Sequence, residues 1–170
     1  MSTLVPTVVG QTAEAQQRKA SPIPARRQWD EPSFFQALQH TRTAPEVEAA
    51  RRILDWARMH VTQIWWGKGQ RTGSFVPTMH HDGTDHQLFA VYTYGTVELY
   101  FQWYQLKSPF DAEAKRLELL RQLNAIDGVA IPTEAITRRP GMPLAVLAEK
   151  QRVLEFLSVF EWFIHEVQAL

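Results

Sequence analysis

The run TVELYFQWYQL at positions 96–106 decides the fold class of this chain. Val97, Leu99, Phe101 and Trp103 alternate with Glu98, Tyr100, Gln102 and Tyr104. Neighbouring side chains of a strand point to opposite faces, so the alternation predicts a strand with one apolar and one polar-aromatic face. Such a strand suits an antiparallel sheet covered on one side by helices. Three more β runs precede it, at 62–66, 74–79 and 87–94, and the Asp82-Gly83 pair between the last two is a turn signal.

Helical patterns flank these strands. DEPSFFQALQH reads as a short helix with Phe34, Phe35 and Leu38 on its apolar side. Thr43 is placed to cap a second helix running to about Met59, with Pro45 just inside and Glu46 completing a capping box. Its buried stripe is Val47, Ala50, Leu54 and Ala57, widened by Ile53 and Trp56. Downstream, 108–125 predicts a helix with Leu117, Leu120 and Leu123 inward. The proline-rich, basic stretch 131–143 reads as irregular, with a brief turn at 133–136. From 144 a last helix carries Val153, Phe156, Leu157, Phe160, Ile164 and Val167 as its stripe. Helices, then strands, then helices indicate an α+β fold: a four-stranded, mostly antiparallel sheet packed against amphipathic helices. The single domain is expected at 29–170, behind a flexible leader at 1–28 whose pairs Arg18-Lys19 and Arg26-Arg27 are solvated.

Composition narrows the function classes. The 170 residues carry 18 Lys+Arg against 18 Asp+Glu, which argues against binding nucleic acid mainly through charge. The chain contains no cysteine, so disulfides, thiolate catalysis and Cys-ligated zinc are excluded. No apolar run approaches the roughly 18 residues of a membrane span, and the N-terminus lacks the pattern of a signal peptide, so a cytoplasmic protein is expected.

WWGKGQRTGSF, at 65–75, invites comparison with phosphate-binding loops. A Walker A loop needs GxxxxGK before Ser or Thr, but Gly67 to Gly73 is one residue too long and Ser74 follows. The spacing GxGxxxG resembles a dinucleotide fingerprint, yet SFVPTM cannot be the helix that such a loop must open. The loop is therefore expected to be a turn requiring positive φ and close backbone approach, with Lys68, Gly69, Arg71 and Gly73 as an anion-binding candidate.

Two further groups could carry chemistry. His80, Asp85 and His86, with His81 and Asp82 beside them, are potential metal ligands if the hairpin brings its arms together. Asp85 and Glu98 resemble part of a metal-dependent nuclease site, but Tyr100 stands where a lysine is wanted. Tyr92, Tyr94, Tyr100, Gln102 and Tyr104 form the expected sheet-face candidate, since exposed aromatics on a sheet can stack bases or a protein partner. Arg138 and Arg139 are expected to pair with the glutamates of the last helix, Glu155, Glu161 and Glu166.

The segments LDWA, IWWGKG…GSFVP, YTYGTVELYFQW, PFDAEAKRLELLRQLNAI and RRPGMPL together resemble an uncharacterised family of small bacterial proteins marked by an IWWGxGxxxGSF-type motif. The resemblance implies a self-contained domain over 29–170 and carries no catalytic residue to this chain. The sequence leads to a non-enzymatic binding module using the sheet face or glycine loop, with no cofactor and most naturally a protein partner. Nucleic acid is a possible partner. The alternative is a metal-dependent enzyme acting on nucleic acid.

Overall fold

A computed structural model describes residues 27–170. The expected leader therefore falls outside the described residues except for its last two positions. Helix α1 (Glu31–Thr41) starts at a reciprocal capping box between Asp30 and Ser33 and buries Phe34, Phe35 and Leu38. Helix α2 (Ala44–His60) starts where Thr43 and Glu46 cap each other, satisfying amides that a helix end leaves without partners. Strands β1 (Gln63–Trp66), β2 (Ser74–His81), β3 (Thr84–Gln87), β4 (Phe89–Tyr92) and β5 (Thr96–Leu99) follow. After them come a single helical turn, α3 (Phe101–Tyr104), and helix α4 (Glu113–Asn124). A 3-10 turn (Thr133–Thr137), strand β6 (Gly141–Pro143), a second 3-10 turn (Leu144–Ala148) and helix α5 (Lys150–Gln168) complete the fold.

All strand pairings are antiparallel, in the order β1-β2-β4-β5-β6, with β3 also paired to β2. The four expected strands all contribute; the expected third, 87–94, corresponds to β4, while β3 arises within the expected turn segment and β6 inside the proline-rich stretch. The break between β3 and β4 has a cause. Thr78 pairs with Gln87, but Phe75 pairs with Val91, so one extra residue lies on the β3–β4 side. This is a β-bulge at Leu88 and Phe89, both fully buried, opposite Pro77. The Leu88 amide donates to the Pro77 carbonyl, so Pro77 turns its N–H-less nitrogen toward the bulge, where ladder pairing is already interrupted. The buried Tyr104 hydroxyl donates to the Leu88 carbonyl and fixes the bulge from within the core.

The helices cover one face. Phe34 of α1 meets Phe75 and Trp66 edge-on, while Phe156 and Phe160 of α5 meet Phe89 at 5.1 and 4.8 Å between ring centroids. Phe110 stacks on Phe163 at 4.2 Å.

Four sequence expectations are corrected. The strand predicted over 96–106 ends at Leu99; Tyr100 adopts φ −94° and ψ 48°, and its carbonyl accepts from the amides of Trp103 and Tyr104. The turn rotates Phe101 and Tyr104 together into the core against Phe163 and Phe110, a gain the alternation could not reveal. The helix expected from 108 begins at Glu113, because the preceding residues fold back to insert the Phe110 ring. On α4, Leu119 takes the inward place expected of Leu117, which is exposed. The basic corner also pairs differently: Arg139 binds Glu98, and it is Lys115 that meets Glu166 of α5.

Candidate functional site

The glycine loop is a cradle for one side chain. Trp29 is almost fully buried, and its Nε1 donates to the Gly69 carbonyl at 2.7 Å. A Cβ on Gly73 would fall 2.4 Å from Trp29 Cδ2, so the indole lies directly on the loop backbone. A Cβ on Gly69 would strike the Thr72 carbonyl, and one on Gly67 the Ser74 hydroxyl, each at 2.4 Å. None of the three glycines has positive φ, so close approach alone explains them, and the positive φ expected from sequence is absent. The Trp29 amide also donates to the Gly67 carbonyl, and the Arg27 guanidinium sits 3.8 Å above the indole. The loop thereby fastens the segment preceding α1 to the end of β1. Lys68 and Arg71 are exposed and have no ion-pair partner among the described residues.

The hairpin does not assemble the expected metal ligands. Asp82 (φ 49°) and Gly83 (φ 78°) form its two-residue turn, the left-handed geometry that fits the twist of a tight hairpin. His80 pairs with Asp85, and their side chains meet at 2.7 Å on the outer face. His86 pairs with Met79 on the opposite, core-side face, so His80, Asp85 and His86 do not converge. Among the described residues no three His, Asp or Glu side chains could hold a metal ion. Glu98 is distant from this tip in the strand order and is engaged by Arg139.

The outer face of the sheet does bring candidates together. Tyr92 and Tyr94 stack with centroids 5.1 Å apart. The Tyr92 hydroxyl donates to Glu98 Oε1 at 3.2 Å, and the same oxygen accepts from Arg139 Nη2 at 2.5 Å. Arg139 in turn lies 5.4 Å from the Tyr100 ring. Burial, then the Glu98 carboxylate, pushes the Tyr92 and Tyr94 hydroxyls above their ordinary value; burial and then Tyr92 push Tyr100 up. All three therefore remain neutral at physiological pH. Gln102 and Tyr104 do not belong to this cluster: Gln102 is exposed on α3, and Tyr104 is buried on the core side.

Sequence reasoning missed Arg139, Glu98 as its partner, and Trp65. Arg139 arrives because β6 pairs with β5 across a long stretch of chain; a single apolar residue, Met142, between Gly141 and Pro143 was the only local sign of that strand. Trp65 pairs with Val76 on the outer face and is 45% exposed. Between Trp65 and the tyrosine cluster, Ser74, Val76, Thr78 and Ala90 make a floor of small, buried side chains. Trp65 on β1 and Tyr92 on β4 stand two strand spacings apart, about 10 Å. The described helices meet the sheet on its other face. Among the described residues no helix is long and apolar enough to cross a membrane.

Comparison with protein-family models, curated proteins and solved structures finds no match to this chain.

Proposed function

We propose that this domain is a non-enzymatic interaction module that binds a protein partner on its outer sheet face. The observation supporting this is the exposure of two large aromatics, Trp65 at 45% and Tyr94 at 48%, on either side of a floor of small residues. Trp, Tyr and Arg are the side chains that dominate binding energy at protein interfaces, and here Trp65, Tyr94 and Arg139 share one face of the sheet. Arg139 supplies the polar rim, already held in place by Glu98. Catalysis has no comparable support, because the titratable groups of the hairpin divide between two faces.

The test places a photo-crosslinking amino acid at Tyr94 and, as control, at the exposed His40 of α1. A defined partner cross-linked from Tyr94 and lost on Trp65→Ala or Arg139→Ala supports the reading. Equal adducts from both positions refute it.

A second reading, single-stranded nucleic acid, is favoured by one arrangement. The Gly73 carbonyl accepts from the Thr93 amide at 3.0 Å, so the glycine loop with Lys68 and Arg71 lies beside the turn that carries Tyr94. Cations next to an exposed aromatic suit a backbone and a stacked base. Labelled oligonucleotides titrated at two salt concentrations distinguish the readings. Nucleic-acid binding would weaken with salt and would lose about 1–3 kcal/mol on Tyr94→Ala.

A further inference from the structure

On the core-side face of the hairpin, away from the aromatic surface and independent of it, a cleft of about 370 Å³ opens against the turn that follows α3. His81 and His86 line it from the hairpin, and Lys107 and Ser108 from the opposite wall. Register explains the convergence. His81 pairs with Thr84, and His86 with Met79, so both imidazoles take the core-side face while His80 and Asp85 take the other. Trp103, Tyr104, Phe110 and Phe163 back His86 with aromatic surface, leaving the residue only 5% exposed.

Two polar groups of the cleft, His81 Nε2 and the His86 ring, make no hydrogen bond among the described residues. His81 Nε2 is buried without a hydrogen-bond partner. The Asp82 carboxylate stands 3.3 Å away but misaligned, and 82% of its side chain is exposed to solvent. No hydrogen bond to the His86 ring is found among the described residues. Lys107 Nζ donates to the Asp85 carbonyl, which holds the ammonium at the rim and leaves two of its three N–H groups free of that bond. Ser108 is occupied by Asp111. The charged neighbours of His86 are thus Lys107 and His81, which oppose its protonation, and Asp85, which favours it; burial is the largest influence and lowers its pKa. A buried ring nitrogen without a hydrogen bond is costly, and with its proton on Nε2 an incoming oxyanion would relieve that cost.

We propose that this cleft binds a compact oxyanion of the phosphate class, held by His81 Nε2, the His86 imidazole and the Lys107 ammonium. The Asp82 carboxylate occupies the entrance as an intramolecular competitor. A carboxylate ligand would use the same donors, and the experiment separates the two.

The full chain is titrated with inorganic phosphate, and separately with acetate, while the imidazole resonances are followed by NMR at constant ionic strength. The expected result is a saturable shift of His81 and His86 with phosphate, an unmoved His80, and an upward move of the His86 titration midpoint at saturation. Lys107→Met keeps the aliphatic stem and should weaken phosphate binding about tenfold, the worth of one charge-assisted hydrogen bond. Asp82→Asn keeps a residue that tolerates the left-handed turn and should tighten binding several-fold, a gain that damage to the fold would not produce. Saturation by acetate alone would overturn the phosphate assignment. Shifts that include His80 equally, or an Asp82→Asn variant with unchanged or weaker affinity, would overturn the site.

Discussion

Gly73→Ala tests the central claim about the glycine loop. Because Gly73 does not have positive φ, alanine meets no backbone penalty there. In open space the substitution would stabilise the protein by about 0.4–1 kcal/mol through the unfolded chain. The structure demands the opposite sign. The new methyl group would lie 2.4, 2.5 and 2.9 Å from three atoms of the Trp29 indole, a rigid ring with no flexible end to swing aside. The ring must lift, losing its Nε1 bond to Gly69 and part of its burial. Full expulsion of a tryptophan forfeits roughly 4–6 kcal/mol of apolar burial. Partial lifting should cost about 2–4 kcal/mol including the hydrogen bond, which moves the urea midpoint by roughly 1–2 M. Urea unfolding followed by far-ultraviolet circular dichroism measures it. The companion is Trp29→Ala, in whose background Gly73→Ala should become neutral or mildly stabilising. A neutral Gly73→Ala in the otherwise unaltered protein, or additive effects in the pair, would refute the cradle.

Three other outcomes are expected. Tyr104→Phe leaves the buried Leu88 carbonyl without its donor and should cost about 1–2 kcal/mol in the same unfolding assay. Thr43→Ala removes one half of the α2 capping box and should cost about 0.5–2 kcal/mol, whereas Ser and Asp at this position should retain most of the stability. The pKa of His86 is depressed below 6.5 in the folded protein, chiefly by burial, so in the interval beneath 6.5 the unfolded chain binds a proton that the folded chain does not. Stability should therefore be complete above that value and decline as pH falls through it; His86→Gln should flatten this part of the stability–pH curve, and an unchanged slope would count against the assignment.

The parts of the fold legible in the sequence are those set by neighbours along the chain. The Thr43–Glu46 capping signal and the stripe from Val153 to Val167 depend on residues three or four apart, and the structure contains them as read. The end of β5 at Leu99 depends instead on Phe110 and Phe163, whose distance along the chain hides their influence. The bulge was invisible for a different reason: LFAVY is apolar throughout, so a doubled inward residue leaves no break in the pattern. In the candidate surface, Tyr92, Tyr94 and Tyr100 could be grouped from their strand positions. Arg139 could not, since 41 residues separate it from Glu98. Of the glycine loop, close packing was foreseeable from residue type, but its object, Trp29, was not.

The bulge at Leu88 also works as a phase shifter. On β4 the odd-numbered residues Phe89 and Val91 point to the core; on β3 the even-numbered Thr84 and His86 do. The bulging of Leu88, rather than its pairing, thus decides which half of the hairpin's polar inventory faces the interior. If Leu88 were instead paired in a regular ladder with no bulge, Gln87 would fall opposite Met79 and Asp85 opposite His81, turning Asp85 inward and His86 to solvent. The chemistry of the cleft is consequently encoded in where the ladder skips a residue as much as in the identity of the residues at the tip.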